Sequence, residues 1–94
     1  LKMKRRVLIM KELSYVITDP EGIHARPAGA LVKEAAAFTS KITIGKDGKE
    51  VDAKRIFGIM GLAAKQGQTI VLKAEGDDED AAIEKLGTFL KENL

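Results

Sequence analysis

One histidine stands in the 94-residue chain, at position 24, between Gly22-Ile23 and Ala25-Arg26-Pro27-Ala28-Gly29. An imidazole can serve as nucleophile, proton carrier or metal ligand. A single histidine more often decorates a surface or caps a helix, so its neighbours must decide. Metal binding lacks support, because the chain holds no cysteine and no second histidine to complete a zinc-like site. A hydrolytic triad lacks a serine or cysteine in a nucleophile motif. That leaves His24 as the attacking group itself. Arg26, two residues on, offers a planar and permanently charged fork suited to phosphate. The pair points to a phosphoryl group carried on histidine.

Position sharpens this reading. An extended run gives way to a helical one at this segment. Pro27 fixes φ for a first-turn position and lacks an amide hydrogen that would have been unpaired there anyway. Gly22 permits a tight turn just before it. His24 is therefore expected just outside the positive end of a helix, where the free amides of Ala25 and Arg26 and the helix dipole favour an anion. A carrier must also release its cargo, so His24 is expected to be substantially exposed, without catalytic turnover of its own.

The elements that must position this group follow from periodicity. Leu13, Tyr15 and Ile17 alternate with Ser14, Val16 and Thr18, as in a strand, and the stretch 19–22 breaks it. Ala28, Leu31, Val32 and Ala35 recur at helical spacing over 25–37. Ile42 and Ile44 mark a second strand, and Asp47-Gly48 is a tight-turn signal into a third over 50–53. Residues 54–65 read as a glycine-interrupted helix, with Ile59, Leu62 and Ala63 toward the core. The stretch 69–75 alternates again, placing Ile70, Leu72 and Ala74 on one face. Asp77 or Asp78 is expected to cap a last helix, with Glu79 and Asp80 at its positive end and Ile83, Leu86, Phe89 and Leu90 facing inward. Strand, helix, strand, strand, helix, strand, helix builds an α+β domain: one antiparallel sheet with helices on one face.

Composition excludes several function classes. The content, 45% apolar and 32% charged, is ordinary for a globular domain. The absence of cysteine rules out disulfide stapling. The longest apolar run, over 7–10, falls far short of the roughly 20 residues that cross a bilayer. The formal net charge is +2, but Lys2, Lys4, Arg5 and Arg6 supply four of the 16 positive charges. Residues 11–94 hold the remaining 12 against 14 acidic residues, a net of −2. No basic stripe with interleaved aromatics remains to bind nucleic acid. Residues 1–9 are expected to lie outside a domain spanning 10–94, with Met10 a natural start. The alternative is that residues 7–10 lengthen the first strand as a pairing edge.

The segment over 22–29 closely resembles the active-site signature of the HPr family, the histidine-containing phosphocarriers of the bacterial phosphoenolpyruvate-dependent sugar phosphotransferase system. The resemblance runs from about Lys11 to Leu94. It includes the stretch 52–62, Asp-Ala-Lys-Arg-Ile-Phe-Gly-Ile-Met-Gly-Leu, and the acidic start of the last helix. It implies an open-faced β-sandwich, βαββαβα, with a four-stranded antiparallel sheet and three helices on one side. It implies a cytoplasmic monomer that is a carrier rather than an enzyme, with no cofactor, no metal and no direct membrane insertion.

In that family the phosphoryl group rides on Nδ1 of the histidine matching His24. It comes from phospho-enzyme I and passes to sugar-specific EIIA domains. Ile56, Phe57 and Met60 occupy positions where the family presents an apolar patch to these partners. Gly29 stands where a larger side chain is frequent, so the patch is expected to be smaller there. Lys33 and Arg55 add charge that steers acidic partners. Arg55 also replaces the serine through which many family members are regulated, and an arginine cannot take that phosphate. An escape from the serine switch is therefore expected. Alternatives are an HPr-like regulatory paralogue and a phosphotransfer module for a non-sugar route, such as dihydroxyacetone phosphorylation or nitrogen-linked signalling.

Overall fold

The computed structural model describes residues 11–94. In chain order its elements are β1 (Lys11–Val16), α1 (Ala25–Ala36), β2 (Lys41–Lys46), β3 (Lys49–Asp52), α2 (Ile56–Gly61), β4 (Thr69–Glu75) and α3 (Glu79–Asn93). The extension over 1–9, Met10 and any lengthening of β1 through 7–10 lie outside the described residues.

The strands pair antiparallel in the order β1-β4-β2-β3. Because side chains alternate across a pleated strand, register sorts them into rows. Leu13, Leu72, Ile44 and Val51 sit opposite one another across the four strands. The next row is Glu12, Lys73, Thr43 and Asp52. The apolar row faces the helices; the polar row is left to solvent, where Lys73 Nζ meets Glu50 at 2.5 Å. The architecture is thus an α+β open-faced sandwich. Asp47 (φ 54°) and Gly48 (φ 85°) form the two-residue turn between β2 and β3, both in the left-handed region that matches strand twist.

The core between the sheet and the helices is aliphatic. Ile17, Leu31, Ile42, Ile44, Ile59, Ile70, Leu72, Leu86 and Leu90 are fully buried. Ala28 and Ala35 are buried too, their small side chains letting α1 lie close to its neighbours. Ile83 is only partly buried, and Ala82 joins Leu86, Phe89 and Leu90 in the buried stripe of α3.

Three expectations need correction. The helix expected over 54–65 is confined to Ile56–Gly61. Asp52 holds residues 52–55 in a turn before it, its carboxylate accepting the Lys54 amide (2.8 Å) and its carbonyl the Arg55 amide (3.1 Å). Ala63, expected in the core, is exposed, and Ala64 is buried instead. The left-handed turn at Ala63 (φ 53°) ends the helical path and hands the inward position to the next residue. Asp78 stands at the N-cap of α3 without capping it. Its carboxylate instead accepts the amides of Thr39 (2.9 Å) and Ser40 (3.0 Å) and the Ser40 hydroxyl. The buried Glu79 instead braces the turn that leads into the helix, its Oε1 accepting the Gly76 amide at 3.0 Å.

Candidate functional site

The loop between β1 and α1 carries His24, and it is pinned from three sides. Ile17 leaves the sheet but stays buried, donating to the Gln68 carbonyl (3.0 Å) and accepting from the Gly67 amide (2.8 Å). The Leu94 oxygen accepts the Thr18 amide (2.6 Å) and the Asp19 amide (2.7 Å), and the Thr18 hydroxyl at 2.9 Å. The Ala64 carbonyl accepts the Ile23 amide at 3.0 Å. Between these anchors, Asp19 closes a tight turn: its carbonyl accepts the Gly22 amide (2.9 Å) and its Oδ1 the Glu21 amide (2.8 Å).

Gly22 makes the turn possible. Its φ is +68°, and a Cβ there would lie 2.4 Å from the Ala64 carbonyl oxygen. Ile23 then points inward and His24 outward, as successive residues of an extended chain must.

His24 is the N-cap residue of α1, extended at φ −113° and ψ −174°. Its carbonyl accepts the Ala28 amide (3.0 Å), the first bond of the helix, and its ring makes no capping bond. The side chain is 40% exposed, so the ring is not sealed in the core. The Ala25 and Arg26 amides have no acceptor among the described residues. Pro27 has no amide hydrogen and is buried. Arg26 is exposed, and the first turn of α1 contains no acidic residue. Asp19, Glu21, His24, Ala25 and Arg26 line one open depression. This is a helix N-terminus left free for an anion, with an imidazole and a guanidinium at its rim.

The other singled-out residues lie on α2 and beside it. Phe57 is 86% exposed and Met60 is 38% exposed, while Ile56 is half-buried. Gly29 faces Ile56, whose Cδ1 would be 3.6 Å from a Cβ built on the glycine, an ordinary contact distance. A side chain of alanine size therefore fits there. Lys33 is exposed in the last turn of α1, and Arg55 is exposed with its Nε 3.8 Å from Asp52. Sequence reasoning missed Glu21, whose Oε1 lies 3.4 Å from His24 Nε2. An acidic residue three positions before the histidine was the only available signal. It also missed Leu94, for which the sequence carries no local sign.

The family model described as PTS HPr component phosphorylation site matches residues 11–92. The chain belongs to the HPr family. It is 48% identical over 83 residues to the phosphocarrier protein HPr of Lysinibacillus sphaericus, covering 88% of this chain and 94% of that one. Its fold matches the solved histidine-containing phosphocarrier protein of Mycoplasma at a TM-score of 0.85 and 40% identity, covering 87% of this chain and 93% of that one. It also matches Crh, the Bacillus subtilis catabolite repression protein solved as a swapped dimer, at a TM-score of 0.72 and 42% identity, covering 85% and 92%. Sequence and fold thus agree in placing this chain in the family that includes both HPr phosphocarrier proteins and Crh. Among its described residues no helix is long and apolar enough to cross a membrane.

Proposed function

We propose that His24 accepts a phosphoryl group on Nδ1 from phospho-enzyme I and passes it to sugar-specific EIIA domains. The lone pair of the neutral ring attacks phosphorus, an N–P bond forms, and the bond to the donor breaks with its electron pair leaving on the donor. The free Ala25 and Arg26 amides receive the phosphoryl oxygens, and the Arg26 guanidinium balances their charge. The observation that carries this reading is an exposed imidazole standing at a helix end whose amides are unpartnered.

Magnitudes agree with a reversible carrier. Anion stabilisation at a helix terminus is worth about 0.3–2 kcal/mol, and a charge-assisted hydrogen bond about 1.5–3 kcal/mol. Such a site holds a dianion without trapping it. Docking partners complete it through Gly29, Ile56, Phe57 and Met60, with Lys33 and Arg55 steering. The carrier acts as a cytoplasmic monomer over residues 10–94, and Arg55 frees it from serine-based control. Incubation with phosphoenolpyruvate and enzyme I should add one phosphate that is acid-labile and base-stable. His24→Ala should abolish the addition, and Arg26→Ala should slow it with the fold intact. No incorporation into the wild-type chain would contradict the proposal.

The similarity to Crh favours a second reading, a regulatory paralogue that binds a protein without passing phosphate to sugars. Rapid phosphate discharge to an EIIA domain supports transfer; stable binding to a regulator with no discharge supports the paralogue. In either case stoichiometric phosphorylation at Arg55's neighbourhood by a bifunctional HPr kinase would overturn the expected escape from serine control.

A further inference from the structure

The loop before α1 contains an acidic group that the phosphoryl site does not need for charge. Glu21 lies in the same depression as His24 and Arg26, and a carboxylate there repels a dianion. Its placement is nevertheless built. The Glu21 amide is held by Asp19 Oδ1 at 2.8 Å, and Gly22 beside it is locked against Ala64. From that mount Glu21 Oε1 reaches within 3.4 Å of His24 Nε2, the ring nitrogen remote from the proposed attack.

We propose that Glu21 is a positioning residue that selects the reactive tautomer of His24. A neutral imidazole carries one proton and one nucleophilic lone pair, and the partner of one nitrogen decides which is which. A carboxylate oxygen close to Nε2 favours the proton there electrostatically and leaves the lone pair on Nδ1. It also limits rotation of a ring that makes no capping bond and is 40% exposed. The contact is longer than a well-formed N–H···O bond and is open to water, so its effect is modest. The kinetic part of this inference rests on the phosphocarrier reading; the tautomer part does not.

Long-range proton–nitrogen correlation spectra of the 15N-labelled, unphosphorylated chain at alkaline pH read the tautomer directly. The wild type should show Nε2 protonated and Nδ1 bare. Glu21→Ala should move the spectrum toward the mixed tautomers of free histidine, and Glu21→Gln, which keeps an acceptor oxygen, should restore the wild-type pattern. Phosphorylation by enzyme I should fall about two- to fivefold in Glu21→Ala, the range an exposed contact supports, and recover in Glu21→Gln. Unchanged urea midpoints should accompany both variants, since the Glu21 side chain is 74% exposed. An identical tautomer in wild type and Glu21→Ala would overturn the proposal, as would a Glu21→Gln spectrum as mixed as that of Glu21→Ala. A tautomer shift in a chain that accepts no phosphate would support Glu21's role while refuting the carrier reading.

Discussion

α1 and α3 both begin with backbone amides that have no helical partner, and the chain finishes the two ends differently. At α3, Glu79 turns back to accept the Gly76 amide, and Glu79 and Asp80 place negative charge in the first turn. At α1 the first turn has no acidic residue, the cap residue's side chain makes no bond, and a proline removes one donor. The positive helix end is offset by first-turn carboxylates in α3 and left without them in α1. The open end is also firmly mounted, tied to Ala64, Gln68 and Leu94 by four backbone hydrogen bonds and to Gly67 by a fifth. The proposed anion site thus follows from what the sequence withholds at Ala25 and Arg26 as much as from what it supplies.

Breaking the mount should have the largest effect. Gly22→Ala forces a left-handed conformation on alanine and drives a methyl into the Ala64 carbonyl. A loss of about 2–4 kcal/mol is expected in urea unfolding. Removing the brace ahead of α3 should cost less: Glu79→Ala strips the Gly76 amide of its acceptor, and a loss of about 0.5–1.5 kcal/mol is expected by the same measurement. Phosphoryl acceptance at His24 should survive that change.

The Asp78 carboxylate next to α3 gives the comparison a pH dependence. The Ser40 hydroxyl, followed by the Thr39 amide, lowers its pKa from 3.8 to about 2. Above 3.8 the group is ionised in folded and unfolded chains alike, and its stabilisation is fully present. As pH falls from 3.8 toward 2 the unfolded chain takes up the proton first, so this contribution is lost. Asp78→Asn should flatten that part of the acid limb in unfolding midpoints measured against pH. The smallest expected effect sharpens the contrast from the other side. Ala25→Glu puts a carboxylate where α3 already has one, and should stabilise the fold by about 0.3–1 kcal/mol while slowing phosphorylation of His24.

Much of this was legible locally. Period-two runs at 69–75, the Asp47-Gly48 turn and the helix opening around Pro27 each depend on residues a few positions apart, whereas the apolar pair Phe57 and Met60 was expected at the surface from the family resemblance. What escaped depends on contacts between distant segments. Asp78 looks like a cap because its own helix follows, but the Ser40 and Thr39 amides lie nearer its oxygens. Leu94 meets Thr18 across 76 positions. Ala63 and Ala64 are both small and apolar, and only the left-handed turn at Ala63 decides which is buried. The candidate site was readable as a motif; its mount of Ala64, Gln68 and Leu94, and the Glu21 contact, were not.

The most direct test of the central claim is phosphorus–nitrogen coupling in the 15N-labelled chain after reaction with phosphoenolpyruvate and enzyme I. The expected result is one phosphoryl group bonded to Nδ1 of His24. A phosphate on Nε2, on any other side chain, or on none would contradict it.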